Sequence, residues 1–131
     1  MSKETESQEW RANLDEARKR LSEIRETLIL SWFKIHSTGN KKERIIWGKD
    51  WGEAVREEVA LTEDVITPAK IELGLPLANR NQERRVKRRA GKISQMHGGT
   101  IEEGKKIARY HIRFTKKIQR RLGVGRTLDF F

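Results

Sequence analysis

Apolar residues fall in helical rows along most of the chain. Trp10, Leu14, Ala17, Leu21, Ile24 and Leu28 recur at alternating spacings of four and three, an unbroken heptad seam, with Glu, Asp, Arg and Lys between them. The spacing predicts a first helix from near Thr5 or Ser7 to about Ser37. The stripe widens at Leu28-Ile29-Leu30-Ser31-Trp32-Phe33, so this half should be buried on more than one side. Gly39-Asn40 reads as its stop, because both residues tolerate the left-handed conformation that ends helices. About thirty residues make a rod of roughly 45 Å. Such a rod either projects as an arm onto another subunit or folds back on its own core.

The middle of the chain is less periodic. Asp50 and Glu53 form a D-x-x-E start signal, which predicts a short helix from Trp51 to about Ala60 burying Trp51, Val55 and Val59. Thr67-Pro68 reads as an N-cap followed by proline in the first turn, and Gly74 and Pro76 close that second short helix. Residues 41–49, KKERIIWGK, fit either a loop or a short strand. Trp47 and Trp51 suit a core or a subunit contact better than a platform for stacked bases.

Two further helices follow. The first runs from near Asn79 to His97, with Val86, Ala90, Ile93 and His97 within about 60° of its circumference. The rest of its surface is dominated by Arg80, Arg84, Arg85, Lys87, Arg88, Arg89 and Lys92. The second starts at Thr100, where T-I-E-E has the form of a capping box, and ends at Leu122 before Gly123. Taking Lys105 as zero, Lys105, Lys106, Arg109, Arg113, Lys116, Lys117, Arg120 and Arg121 fall between about 0° and 160°, with Tyr110 among them. Ile107, Ala108, His111, Ile112, Phe114, Ile118 and Leu122 take the opposite half. The two helices predict a hairpin turned at His97-Gly98-Gly99. The expected fold is all-α: a long N-terminal helical arm (1–40), short helices and loops (41–78), a basic helical hairpin (79–122) and a tail (123–131).

Charge sharpens this picture. The formal net charge is +10, and it is unevenly placed. Residues 1–40 balance to zero, residues 41–78 carry −2, and residues 79–131 carry +12. Like charges four apart on one helix repel, and a polyanion that neutralises them removes that penalty. A membrane-surface helix would need its apolar face free for lipid, and here the core claims that face. Rows of Lys and Arg with few Asn or Gln readers suit phosphate contact without base readout. A single tyrosine is too little aromatic surface for single-strand stacking. The expected partner is therefore duplex nucleic acid, double-stranded DNA first, bound through its backbone irrespective of sequence.

Signs of catalysis are weak. Gly99-Thr-Ile-Glu-Glu-Gly104-Lys105-Lys106 approaches the G-x-x-x-x-G-K-[ST] phosphate loop, but its last position is lysine and no strand precedes it. His36, His97 and His111 lack metal-ligand spacing, and His97 and His111 sit on apolar seams as core histidines do. There is no cysteine. The longest apolar cluster, LILSWFKI, is too short to cross a bilayer, and the first ten residues lack a signal-peptide core. The expectation is a non-enzymatic protein without cofactor, metal or small-molecule substrate.

Trp10, Leu14 and Leu21 on the long helix, and Phe130-Phe131 after GVGRTLD, are candidates for assembly contacts. The tail either meets a neighbour or folds back on its own core. In size, in its helical plan with an N-terminal arm, and in the stretches ERRVKRRAGK and GKKIARYHIRFTKKIQRR, the chain resembles the major capsid proteins of filamentous archaeal viruses. The resemblance implies a virion-located subunit of a helical nucleoprotein filament. A related second capsid protein often pairs with such a subunit, and the duplex is held in A-form. A cellular chromatin or ribosomal protein, and a small nucleic-acid enzyme, are the alternatives.

Overall fold

The computed structural model describes residues 3–125. It is all-α, with no strand among the described residues. Helix α1 spans Lys3–Ser37, α2 Lys41–Leu61, α3 Thr67–Leu73, α4 Arg80–Met96 and α5 Ile101–Arg121. A π-helical turn, Thr62–Ile66, joins α2 to α3.

Helix α1 is the spine. Its heptad seam is buried from Leu14 through Ala17, Leu21, Ile24 and Leu28, and Trp10 is half-buried at the end of the row. Leu14, Ala17 and Leu21 pack on Ile66 and Ala69. Ile24 and Leu28 pack on Ala54, with Trp51 and Val55 beside them. Ile29 and Phe33 pack on Ala90 of α4 and Ala108 of α5. The helix therefore folds back on its own chain. Leu14 and Leu21, expected at an assembly surface, are instead 2% and 6% exposed, because α3 and the π turn cover them. The widened stripe is buried at Leu28, Ile29, Ser31 and Phe33, while Trp32 keeps 41% of its surface.

The middle region departs most from expectation. Residues 41–49 are helical, and Asp50 lies inside α2 rather than at its start. The start is Asn40, whose side chain accepts from the backbone N–H groups of Lys42 and Glu43 at 2.9 and 3.3 Å. Gly39 and Asn40 are not left-handed, so the chain turns there by beginning a new helix. Thr67 is no N-cap either. It continues the helical path and its N–H reaches Thr62 O, five residues back. Pro68 lacks an N–H and its ring crowds the carbonyl four residues earlier, so widening the helix by one residue keeps the rod continuous across it. Gly74, at φ +63°, ends α3 as expected, with the Leu75 N–H closing onto Lys70 O at 2.9 Å.

Helices α4 and α5 form the predicted hairpin. Asn79 caps α4, and the capping box of Thr100 and Glu103 opens α5 with both reciprocal bonds made. Small residues let the two backbones approach. A Cβ on Gly104 would lie 2.1 Å from Ala90 O, and one on Gly91 would lie 2.7 Å from an Ile101 methyl. Gly104 of the near phosphate-loop pattern is thus a helix-contact residue inside α5. His97 is exposed rather than on the seam. The α-helix ends at Met96 and His97 turns to φ −109°, ψ 22°, so the helical projection stops short of it. At the far end Gly123, at φ +114°, turns the chain and Val124 is buried, its N–H bonded to Gln119 O at 3.0 Å. Phe130 and Phe131 lie outside the described residues.

Candidate nucleic-acid interface

The hairpin sets two cationic walls outward because its small and apolar residues are spent on α1 and on each other. On α4, Arg80, Arg84, Arg85, Arg88, Arg89 and Lys92 are exposed and Lys87 is half-buried. On α5, Lys106, Arg109, Arg113, Lys117, Arg120 and Arg121 are exposed, and Lys105 and Lys116 are half-buried. Tyr110 stands among them, 66% exposed.

Few of these cations meet a carboxylate. Arg89 pairs with Glu26 of α1, and that hydrogen bond holds its guanidinium above its usual range. Lys116 pairs with Glu83 at 2.5 Å, and Lys105 stands 3.8 Å from Glu102. The other predicted contact residues, Arg80, Arg84, Arg85, Lys87, Arg88, Lys92, Lys106, Arg109, Arg113, Lys117, Arg120 and Arg121, have no ion-pair partner among the described residues. A shallow groove brings Arg80, Arg84 and Lys87 of α4 beside Lys116 of α5. Arg89, paired with α1, and Lys116, half-buried and paired with Glu83, are the predicted residues most clearly diverted to intramolecular work.

Behind the walls lies a polar interior that helical periodicity concealed. Arg25 and Glu58 are both buried, with Nε and Oε2 3.5 Å apart. His111 Nδ1 lies 2.9 Å from Glu58 Oε1, the hydrogen-bonded core histidine that its seam position implied. Arg25 also donates to Thr115 Oγ1 at 3.2 Å, and Thr115 hydrogen-bonds back to the carbonyls of His111 and Ile112. One turn on, the Lys70 ammonium donates to Gln119 Oε1 at 2.7 Å and Leu77 O at 3.0 Å. Burial, aided by the charge of Arg18, lowers its pKa from 10.5 to about 8. Thr115 and Gln119 sit on the packed face of α5, where a hydrophobicity pattern registers them only as interruptions. A polar residue every fourth position, His111, Thr115 and Gln119, was the available signal.

No protein-family model, curated protein or solved structure matches the chain. No helix among the described residues is long and apolar enough to cross a membrane.

Proposed function

We propose that the chain is a structural nucleic-acid-binding protein that holds duplex DNA through its phosphate backbone, and that it does so as a repeated subunit of a helical nucleoprotein capsid. The observation that carries this is the unpaired state of the cations on the outer walls of α4 and α5. An ordinary solvated surface mixes signs and lets them pair. Here the acidic residues concentrate in α1–α3, and the hairpin leaves guanidinium and ammonium groups facing water. Each is a group that can replace a condensed counterion on a duplex.

The interface suits position rather than sequence. Arg and Lys dominate it, and Asn and Gln readers of base edges are few. Assembly finds support in a different place from the heptad seam. Ile45, Ile46 and Trp32 are 64%, 59% and 41% exposed, all near the turn between α1 and α2. Exposed apolar surface of this kind is what a subunit touching its neighbours would carry.

Fluorescence anisotropy with unrelated duplexes tests the binding. Affinity should fall linearly with log salt, with a slope of about 0.9 for each phosphate neutralised, and should differ little between sequences. A strong preference for one sequence at fixed salt overturns the backbone reading. Negative-stain microscopy of protein mixed with long duplex tests the capsid: regular filaments support it, and dispersed small complexes favour a chromatin-like or ribosomal role.

A further inference from the structure

A cleft opens between α1, α3, α4 and α5, with an internal space of about 50 Å³, where one water needs only about 10–15 Å³. Arg18 and Arg25 of α1, Lys70 of α3 and Lys116 of α5 line it, against one carboxylate, Glu83 of α4. We propose that this cleft is a binding site for a single phosphate group, held by Lys70 and Arg18 with Arg25 behind them.

Lys70 is the decisive residue. It is 6% exposed, yet no carboxylate lies within salt-bridge distance among the described residues. Its ammonium meets two neutral carbonyl oxygens, Gln119 Oε1 and Leu77 O. An ammonium has three N–H donors, so one remains for the cavity. A buried charge without a counter-charge is costly, and an anion is the group that removes the cost. The charges facing Lys70 are Arg18 and Arg25 from α1, Glu83 from α4 and Lys116 from α5, a cationic surplus.

Arg25 behind Lys70 already has a counter-charge in Glu58, whose Oε2 lies 3.5 Å from its Nε, so Lys70 is the buried cation of the cleft left without one. Glu83 is already engaged by Lys116 at 2.5 Å, which blunts its repulsion of an incoming anion. Asn79 and Gln82 at the first turn of α4 also line the cleft, so the positive end of that helix faces the same space. Glu83 and Lys116 also line the shallow groove of Arg80, Arg84 and Lys87, which sets the cleft beside the cationic wall.

The phosphate chemistry stands without nucleic acid. Only its assignment to a nucleic-acid phosphate rests on the function proposed above. Calorimetric titration of the full chain with inorganic phosphate at low ionic strength should show saturable one-to-one binding. Lys70→Met and Arg18→Gln should each weaken it at least tenfold, while Arg44→Gln on α2 leaves it unchanged. In the wild-type chain, saturating phosphate should raise the Lys70 titration midpoint above about 8, read by NMR of its side chain, which needs no variant to fold. No saturable binding, equal loss in Arg44→Gln, or an unmoved midpoint overturns the site. Short duplexes with 5′-hydroxyl or 5′-phosphate ends then identify the source. Weakening by Lys70→Met on both points to backbone phosphate, on the phosphorylated one alone to a terminal phosphate, and on neither to free phosphate. Wild-type chain that binds phosphate but no duplex overturns the nucleic-acid reading and leaves the cleft standing.

Discussion

The cations of this protein live in two settings. On the outer walls of α4 and α5 residues such as Arg84, Arg109 and Arg120 are exposed and unpaired. In the interior Arg25 and Lys70 carry the same formal charge at 9% and 6% exposure. Water solvates the first group, so each wall residue costs the fold little and its field is screened within about 8–10 Å by physiological salt. The interior pair has lost that solvation. There Glu58, His111 and Thr115 surround Arg25, while Lys70 has only neutral acceptors and a lowered pKa. Identical side-chain chemistry thus becomes a solvated, unpaired surface in one place and a source of specific, costly electrostatics in the other.

The sharpest way to break the contrast is Glu58→Gln. It should destabilise the fold by about 3–5 kcal/mol in urea melts, because it leaves the buried Arg25 charge uncompensated. A loss under about 1 kcal/mol would mean that the interior is as well solvated as the walls. Lys70 gives a pH signature of the next size. Between about pH 8 and 10.5 the unfolded chain keeps a proton that the folded chain has released, so stability should rise through that window. It should be lowest below about pH 8, where both states carry the charge. Lys70→Met removes this dependence, a difference of up to about 3 kcal/mol across the window, measured by melts at fixed ionic strength. Gly104→Ala comes next at about 1–3 kcal/mol, since its methyl meets Ala90 O and must spread the hairpin that displays both walls. The smallest effect on stability belongs to the wall itself. Arg109→Gln, Arg113→Gln and Arg120→Gln should each change it by less than about 0.5 kcal/mol. Together they should lower the salt slope of duplex binding by about 0.9 for each phosphate that is no longer neutralised.

The heptad of α1, the capping box at Thr100, the hairpin turn and the concentration of positive charge were all legible in the chain. Each is local: a period, a cap or a composition within a few turns. The start of α2 was legible too, since Asn40 with Glu43 three residues on has the form of a helix start, but the similar signal at Asp50-Glu53 competed with it. Ile45 and Ile46 gave no help, because both point to solvent and so break the amphipathic pattern. Thr67-Pro68 misled because a proline signal at a helix start is indistinguishable in sequence from a proline accommodated by a π turn.

What the sequence by itself determined is the set of helices around those local signals and the sign of the surface they would show. Helical periodicity and like-charge crowding act over a handful of residues, and one chain suffices to read them. Only tertiary structure decided where α1 lies, and with it the fate of Leu14 and Leu21, since a heptad seam binds equally well to another subunit or to Ile66 and Ala69. It also decided that Arg18, Arg25, Lys70 and Lys116, up to 98 residues apart, line one cleft. Such convergence depends on how rods cross, and the crossing is set by small residues such as Ala90, Gly91 and Gly104, whose effect is felt only when two helices meet.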